Sequence, residues 1–103
     1  MTFVIRASSF FVKRYLKVTD QGVDFMETAA TGGRKRFNFG QIEFILLSPA
    51  QVLSFQVGNE VFSIQTNPNK PKHVAAIREL LARVGASREQ SVGFPVIQPG
   101  QRA

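Results

Sequence analysis

The chain has 103 residues, enough for one domain, and its 44% hydrophobic and 19% charged content is an ordinary globular balance. It has no cysteine, which excludes disulfides, thiolate metal sites and cysteine nucleophiles together. A net charge of +6 favours polyanionic partners: nucleic acid, anionic lipid or an acidic protein surface.

Met1 to Arg6 lacks the basic start and long apolar stretch of a secretory leader. Apolar runs such as Phe44-Ile45-Leu46-Leu47 fall far short of the roughly 20 residues a membrane span needs. The expected setting is the cytoplasm, with peripheral membrane attachment as the alternative.

Phe3-Val4-Ile5 and Phe10 to Val18 read as strands. In the second, Phe10, Val12, Leu16 and Val18 share one face, while Phe11, Lys13, Tyr15 and Lys17 share the other. Arg14 interrupts the apolar face, at a bulge or an open end. Thr19-Asp20-Gln21-Gly22 is a tight turn in which Asp20 can bond the backbone and Gly22 can take a positive φ. The return strand starts at Val23, with Val23 and Phe25 inward and Asp24 outward. Ala29 to Gly33 is a second turn, followed by Arg34-Lys35-Arg36 and a strand through Phe37 and Phe39, both expected in the core. In a strand, Arg34 and Arg36 share a face and Lys35 opposes them.

Gly40-Gln41 marks a bend. Residues 42–48 form a strand more apolar than a solvated edge would be, ended by Pro49. Residues 52–66 form a hairpin: Leu53, Phe55, Phe62 and Ile64 point inward, and Gly58-Asn59 is the two-residue turn. Asn69 is the expected N-cap of a helix over 70–84, with Pro71 in its first turn. Val74, Ile77, Leu81 and Val84 form its apolar stripe, and Gly85 is placed to end it. Residues 1–85 then form the domain. Residues 86–103 read as a tail, either disordered or docked as an arm through Phe94, Val96 and Ile97.

The expected class is therefore mainly β with one C-terminal α-helix. Three stretches resemble a pleckstrin-homology-like (PH-like) domain of the small bacterial type. They are Leu16 to Phe25 with its Gly22-Val23 restart, Phe37 to Ile45 with its bend, and Thr66-Asn67-Pro68 followed by a helix ending Leu80-Leu81. The likeness covers roughly residues 8–85 and is one of spacing and residue class. It implies a β-barrel or orthogonal sandwich of seven strands with the helix plugging one end. Phosphoinositide-binding members resemble one another in a basic set at the open end. This chain departs from that set: its first long turn is short and acidic, and Arg34-Lys35-Arg36 falls one strand later. The resemblance therefore points to protein or peptide binding along a sheet edge.

Seven of the basic residues precede Phe37, against the acids Asp20, Asp24 and Glu27. Lys13, Lys17, Arg34, Lys35 and Arg36 are the candidate anion-binding set, with arginine forks suited to phosphate or carboxylate. The plainer reading is a solvated surface that guards an edge against aggregation. His73 stands alone, without a metal partner of its own kind, and reads as a surface helix residue. Gly32-Gly33 opens a strand and not a helix, so it is no phosphate loop, and no Gly-x-Ser-x-Gly elbow occurs. The sequence predicts no catalytic residues, metal or cofactor. It predicts a binding module for another protein, a peptide or a second copy of itself, through a sheet edge or a helix-flanking groove. The alternative is an anionic ligand, phospholipid headgroup or nucleic acid, held by the basic set.

Overall fold

The computed structural model describes residues 1–9, 12–28 and 33–92. Phe10, Phe11, Ala29 to Gly32 and the suggested arm at Phe94, Val96 and Ile97 lie outside the described residues. The first sheet comprises β1 (Phe3–Ser9), β2 (Val12–Val18), β3 (Val23–Glu27) and β4 (Arg34–Phe37). After a 3-10 turn (Phe39–Gln41), β5 (Ile42–Leu47), β6 (Val52–Val57) and β7 (Glu60–Gln65) form the second, and α1 (Pro71–Val92) follows. Both sheets are antiparallel meanders, ordered β1-β2-β3-β4 and β5-β6-β7. Among the described residues no strand pairs across them, so the arrangement is sandwich-like and not a closed barrel.

Alternation along each strand decides what meets between the sheets. In the first sheet, Phe3, Val18, Val23 and Phe37 line up across the strands, as do Ile5, Leu16, Phe25 and Lys35. In the second, Ile45, Phe55 and Phe62 line up, as do Leu47, Leu53 and Ile64. Phe25 and Phe37 meet Phe55 and Phe62 in one aromatic cluster, with centroids 5.0–6.0 Å apart and most pairs tilted or edge-on. These are the geometries in which ring edges and faces attract. The inward assignments of Val23, Phe25, Leu53, Phe55, Phe62 and Ile64, and the core role of Phe37, all hold. Phe39 lies in the 3-10 turn, half-buried against the core, because β4 ends at Phe37.

The first hairpin turn works differently from expectation. Thr19, not Asp20, holds it: its hydroxyl accepts from the Gln21 and Gly22 amides and donates to the Gly22 carbonyl. Asp20 faces the Met1 amino group and Arg83. Gly22 has no positive φ; it is needed because a Cβ there would sit 2.1 Å from the Phe37 carbonyl oxygen. The second-sheet hairpin follows expectation, with Gly58 at φ 60°.

The helix departs most. It passes through Gly85 and runs to Val92, so residues 86–92 belong to it and not to a tail. The Arg88 guanidinium reaches the Ile42 and Glu43 carbonyls at the start of β5, and this anchor offsets the glycine penalty of about 1 kcal/mol. Its buried face is His73, Ala76, Leu80 and Val84, while Leu81 is exposed and Val74 half-buried. The rotation puts small Ala76 in the core cluster, and the helix packs on β1 and the 3-10 turn. Asn69 is not the cap. Asn67 Oδ1 accepts from the Asn69 amide at 2.9 Å, and the Lys70 carbonyl takes the first helical bonds, from His73 and Val74. Pro71 is the first helical residue, as expected.

The two glycines give opposite expectations. Gly22→Ala should lower stability by about 1–3 kcal/mol, since backbone must move. Gly85→Ala, with open space around its Cβ, should raise it by about 0.5–1 kcal/mol. Urea denaturation checks both; a destabilising Gly85→Ala would mean that the helix ends there after all.

Candidate functional site

The register sorts the basic residues by face. In the first sheet, Val4, Lys17, Asp24 and Arg36 form one outward row, Arg6, Tyr15, Met26 and Arg34 the next, and Ser8 and Lys13 a third. Four members of the expected set, Lys13, Lys17, Arg34 and Arg36, therefore share the outer face, joined by Arg6. Lys35 is on the inner face, as the opposition of Arg34 and Arg36 to Lys35 requires. Its ammonium meets Glu60 of β7 at 2.9 Å and lies 5.4 Å from the Phe62 ring centre. The structure thus gathers four of the five expected cations and assigns the fifth to a bridge between the sheets.

Asp24 points outward as expected, but its side chain is only 7% exposed. Arg36 Nε donates to Oδ1 at 2.7 Å and Arg34 Nη2 donates to Oδ2 at 3.1 Å. The two guanidinium groups cover the carboxylate and lie along the sheet. The Arg36 hydrogen bond is the main reason the Asp24 pKa falls below its ordinary value, partly offset by desolvation. Among the described residues Arg6, Lys13 and Lys17 have no ion-pair partner, and the Arg6 guanidinium lies 6.0 Å from the Tyr15 ring centre.

The far end of the sheets, away from the helix contacts, opens as a cleft of about 450 Å³ over Phe25 and Phe62. Arg14 lines it and pairs with Glu27 at 2.6 Å, so the interruption of the apolar face marks an open end. With Lys35 paired to Glu60, each cation at this mouth is matched by an acid, and the mouth has little pull on an anion.

The second sheet presents the opposite chemistry. β5 lies at the edge of its sheet, against the expectation from its apolar sequence. Phe44, Leu46 and Leu47 are 48%, 58% and 41% exposed, and Val61 of β7 is 59% exposed in the same outward row as Phe44 and Gln56. A bulge between Ile42 and Phe44 turns the start of the strand toward Arg88. Among the described residues, the run from Phe44 to Leu47 has no strand neighbour on its outer side.

His73 is buried and not on the surface. Its Nδ1 accepts from the Asn67 amide at 3.0 Å, joining the last strand's exit to the helix start. Desolvation, aided by Lys70, lowers its pKa below 6.5. Arg6, Tyr15 and the β5 apolar residues were not singled out as a site from sequence. Alternation puts Arg6 on the face opposite to Ile5, and the β1–β2 register then sets it across from Tyr15, one row from Lys17. Among the described residues no group of three or more His, Asp or Glu side chains could hold a metal ion, and no helix is long and apolar enough to cross a membrane.

No family model, curated protein or solved structure matches the chain.

The histidine yields a pH prediction. Its folded pKa is lowered, so below about pH 6.5 the unfolded chain takes the proton first. Stability from this group is present above pH 6.5 and is lost as pH falls through the lower folded value. Melting temperature should be level from pH 8 to 7 and decline toward pH 5. His73→Gln, whose amide oxygen can accept the Asn67 bond, should flatten that decline; an unchanged slope in the variant would contradict the assignment.

Proposed function

We propose that this protein is a non-catalytic interaction module of PH-like architecture that recognises protein by strand pairing at β5, with a second copy of the chain as the simplest occupant. One observation carries the reading: among the described residues the edge of β5 is unpaired, with Phe44, Leu46 and Leu47 exposed along it. Edge strands normally carry lysine, proline or inward charge that blocks pairing. From Phe44 to Leu47 this one carries none. An added strand would satisfy the free amide and carbonyl groups of the edge, and its side chains would cover the apolar ones. A second β5 running antiparallel about a two-fold axis supplies both without a further sequence requirement.

Light scattering coupled to size exclusion tests this at low and high salt. The expected result is a dimer that salt hardly affects, since apolar pairing is not screened. Leu46→Lys should give a monomer that keeps the wild-type circular dichroism spectrum, with a melting temperature that no longer depends on protein concentration. A wild-type monomer at both salt levels, with no change on raising concentration, would contradict self-pairing.

A further inference from the structure

We propose that the outer face of the first sheet is a binding platform for single-stranded nucleic acid. This goes beyond the edge-pairing reading and uses a different surface.

Arg6, Lys13, Lys17, Arg34 and Arg36 project from one face, and Asp24 is the only acid among the described residues on it. That carboxylate is consumed in orienting Arg34 and Arg36, whose side chains stay 54% and 70% solvent-exposed. Both arginines therefore keep donors free for a phosphate while their stems are held in place. Three strand spacings separate Arg6 from Arg34, about 14 Å, and four residues separate Lys13 from Lys17, about 13 Å. Cations spread so widely suit a polymer of phosphates and not a single headgroup.

Geometry supports the same conclusion. The well-defined clefts lie off the face or at its β1 edge. One is the neutral mouth, another lies beside Arg83 at the helix, and the third, about 750 Å³, lies between β1 and the start of α1. Arg6 lines this third groove with Lys70 and Lys72, so the cationic track continues past the sheet edge instead of closing into a pocket. In the middle of the face, Tyr15 offers a half-buried ring with the Arg6 guanidinium over it, 6.0 Å from the ring centre, where an exposed arginine can swing aside or sandwich a base. An aromatic ring among cations on an open sheet stacks an unpaired base, and bases inside a duplex cannot reach it. Membrane docking would call for exposed apolar side chains among the cations. Among the described residues the large exposed ones are Met1, Leu81 on the helix, and Phe44, Leu46, Leu47 and Val61 on the second sheet.

Fluorescence anisotropy of the full chain with labelled oligothymidylate and oligouridylate tests the proposal. With about four phosphate contacts the log–log salt slope is about −3, so raising salt from about 50 to about 200 mM weakens binding about 50-fold. Lys17→Gln should reduce the slope by about 0.7. Tyr15→Leu should weaken binding about tenfold or more through lost stacking, at an unchanged slope. Arg34→Gln/Arg36→Gln, on exposed side chains, keeps the test open if the Tyr15 variant misfolds, and should lower both affinity and slope. Leu46→Lys should bind as wild type does, which separates this platform from the β5 edge. No binding to either oligonucleotide at low salt would overturn the proposal. So would equal or tighter binding to duplex DNA, to polyglutamate, or to phosphatidylcholine vesicles carrying phosphatidylserine.

Discussion

Four phenylalanine rings hold the two sheets together, and the other surfaces take their place from that cluster. Phe25 and Phe37 come from the first sheet, Phe55 and Phe62 from the second, and each ring of one sheet touches both of the other. Because no strand among the described residues joins the sheets, side-chain packing between the inner faces does the work that hydrogen bonds do in a closed barrel. Burying aromatic rings is worth a few kcal/mol each. The cluster also sets register: a one-residue slip in any strand would send its ring to solvent.

With the interior filled by aromatic side chains, chemistry is displaced to the periphery. The helix closes one end, tied by Arg83 to the Thr19 carbonyl and by Arg88 to β5. The Arg14–Glu27 and Lys35–Glu60 pairs rim the other end and leave it near neutral. Two outward faces remain, and they differ. The first sheet's is cationic with a central tyrosine; the second's is apolar along β5 and at Val61. On the two proposals made above, protein pairing and polyanion binding would use different faces and would not compete.

Much of this was legible in the residues. Period-two alternation located the second-sheet hairpin, its glycine-first turn and the inward residues of β3, β6 and β7, because alternation depends only on the local chain. What failed depended on partners far along the chain. Asp24 reads as a solvated acid until β4 brings Arg34 and Arg36 beside it. Gly85 reads as a helix terminus until Arg88 finds the β5 carbonyls, and His73 as a surface residue until Asn67 donates to it. The apolar sequence of β5 indicates an interior strand, yet sheet order puts it at an edge, and strand order is not written in alternation. The basic set was half legible: parity separated Lys35 from Arg34 and Arg36, but only the β1–β2 register added Arg6.

Amide hydrogen exchange, followed residue by residue at two protein concentrations, tests the edge-pairing claim most directly. The account predicts that the β5 amides from Phe44 to Leu47 that do not bond β6 exchange more slowly at the higher concentration, while β1 to β4 are unchanged. Concentration-independent exchange along β5 would contradict it.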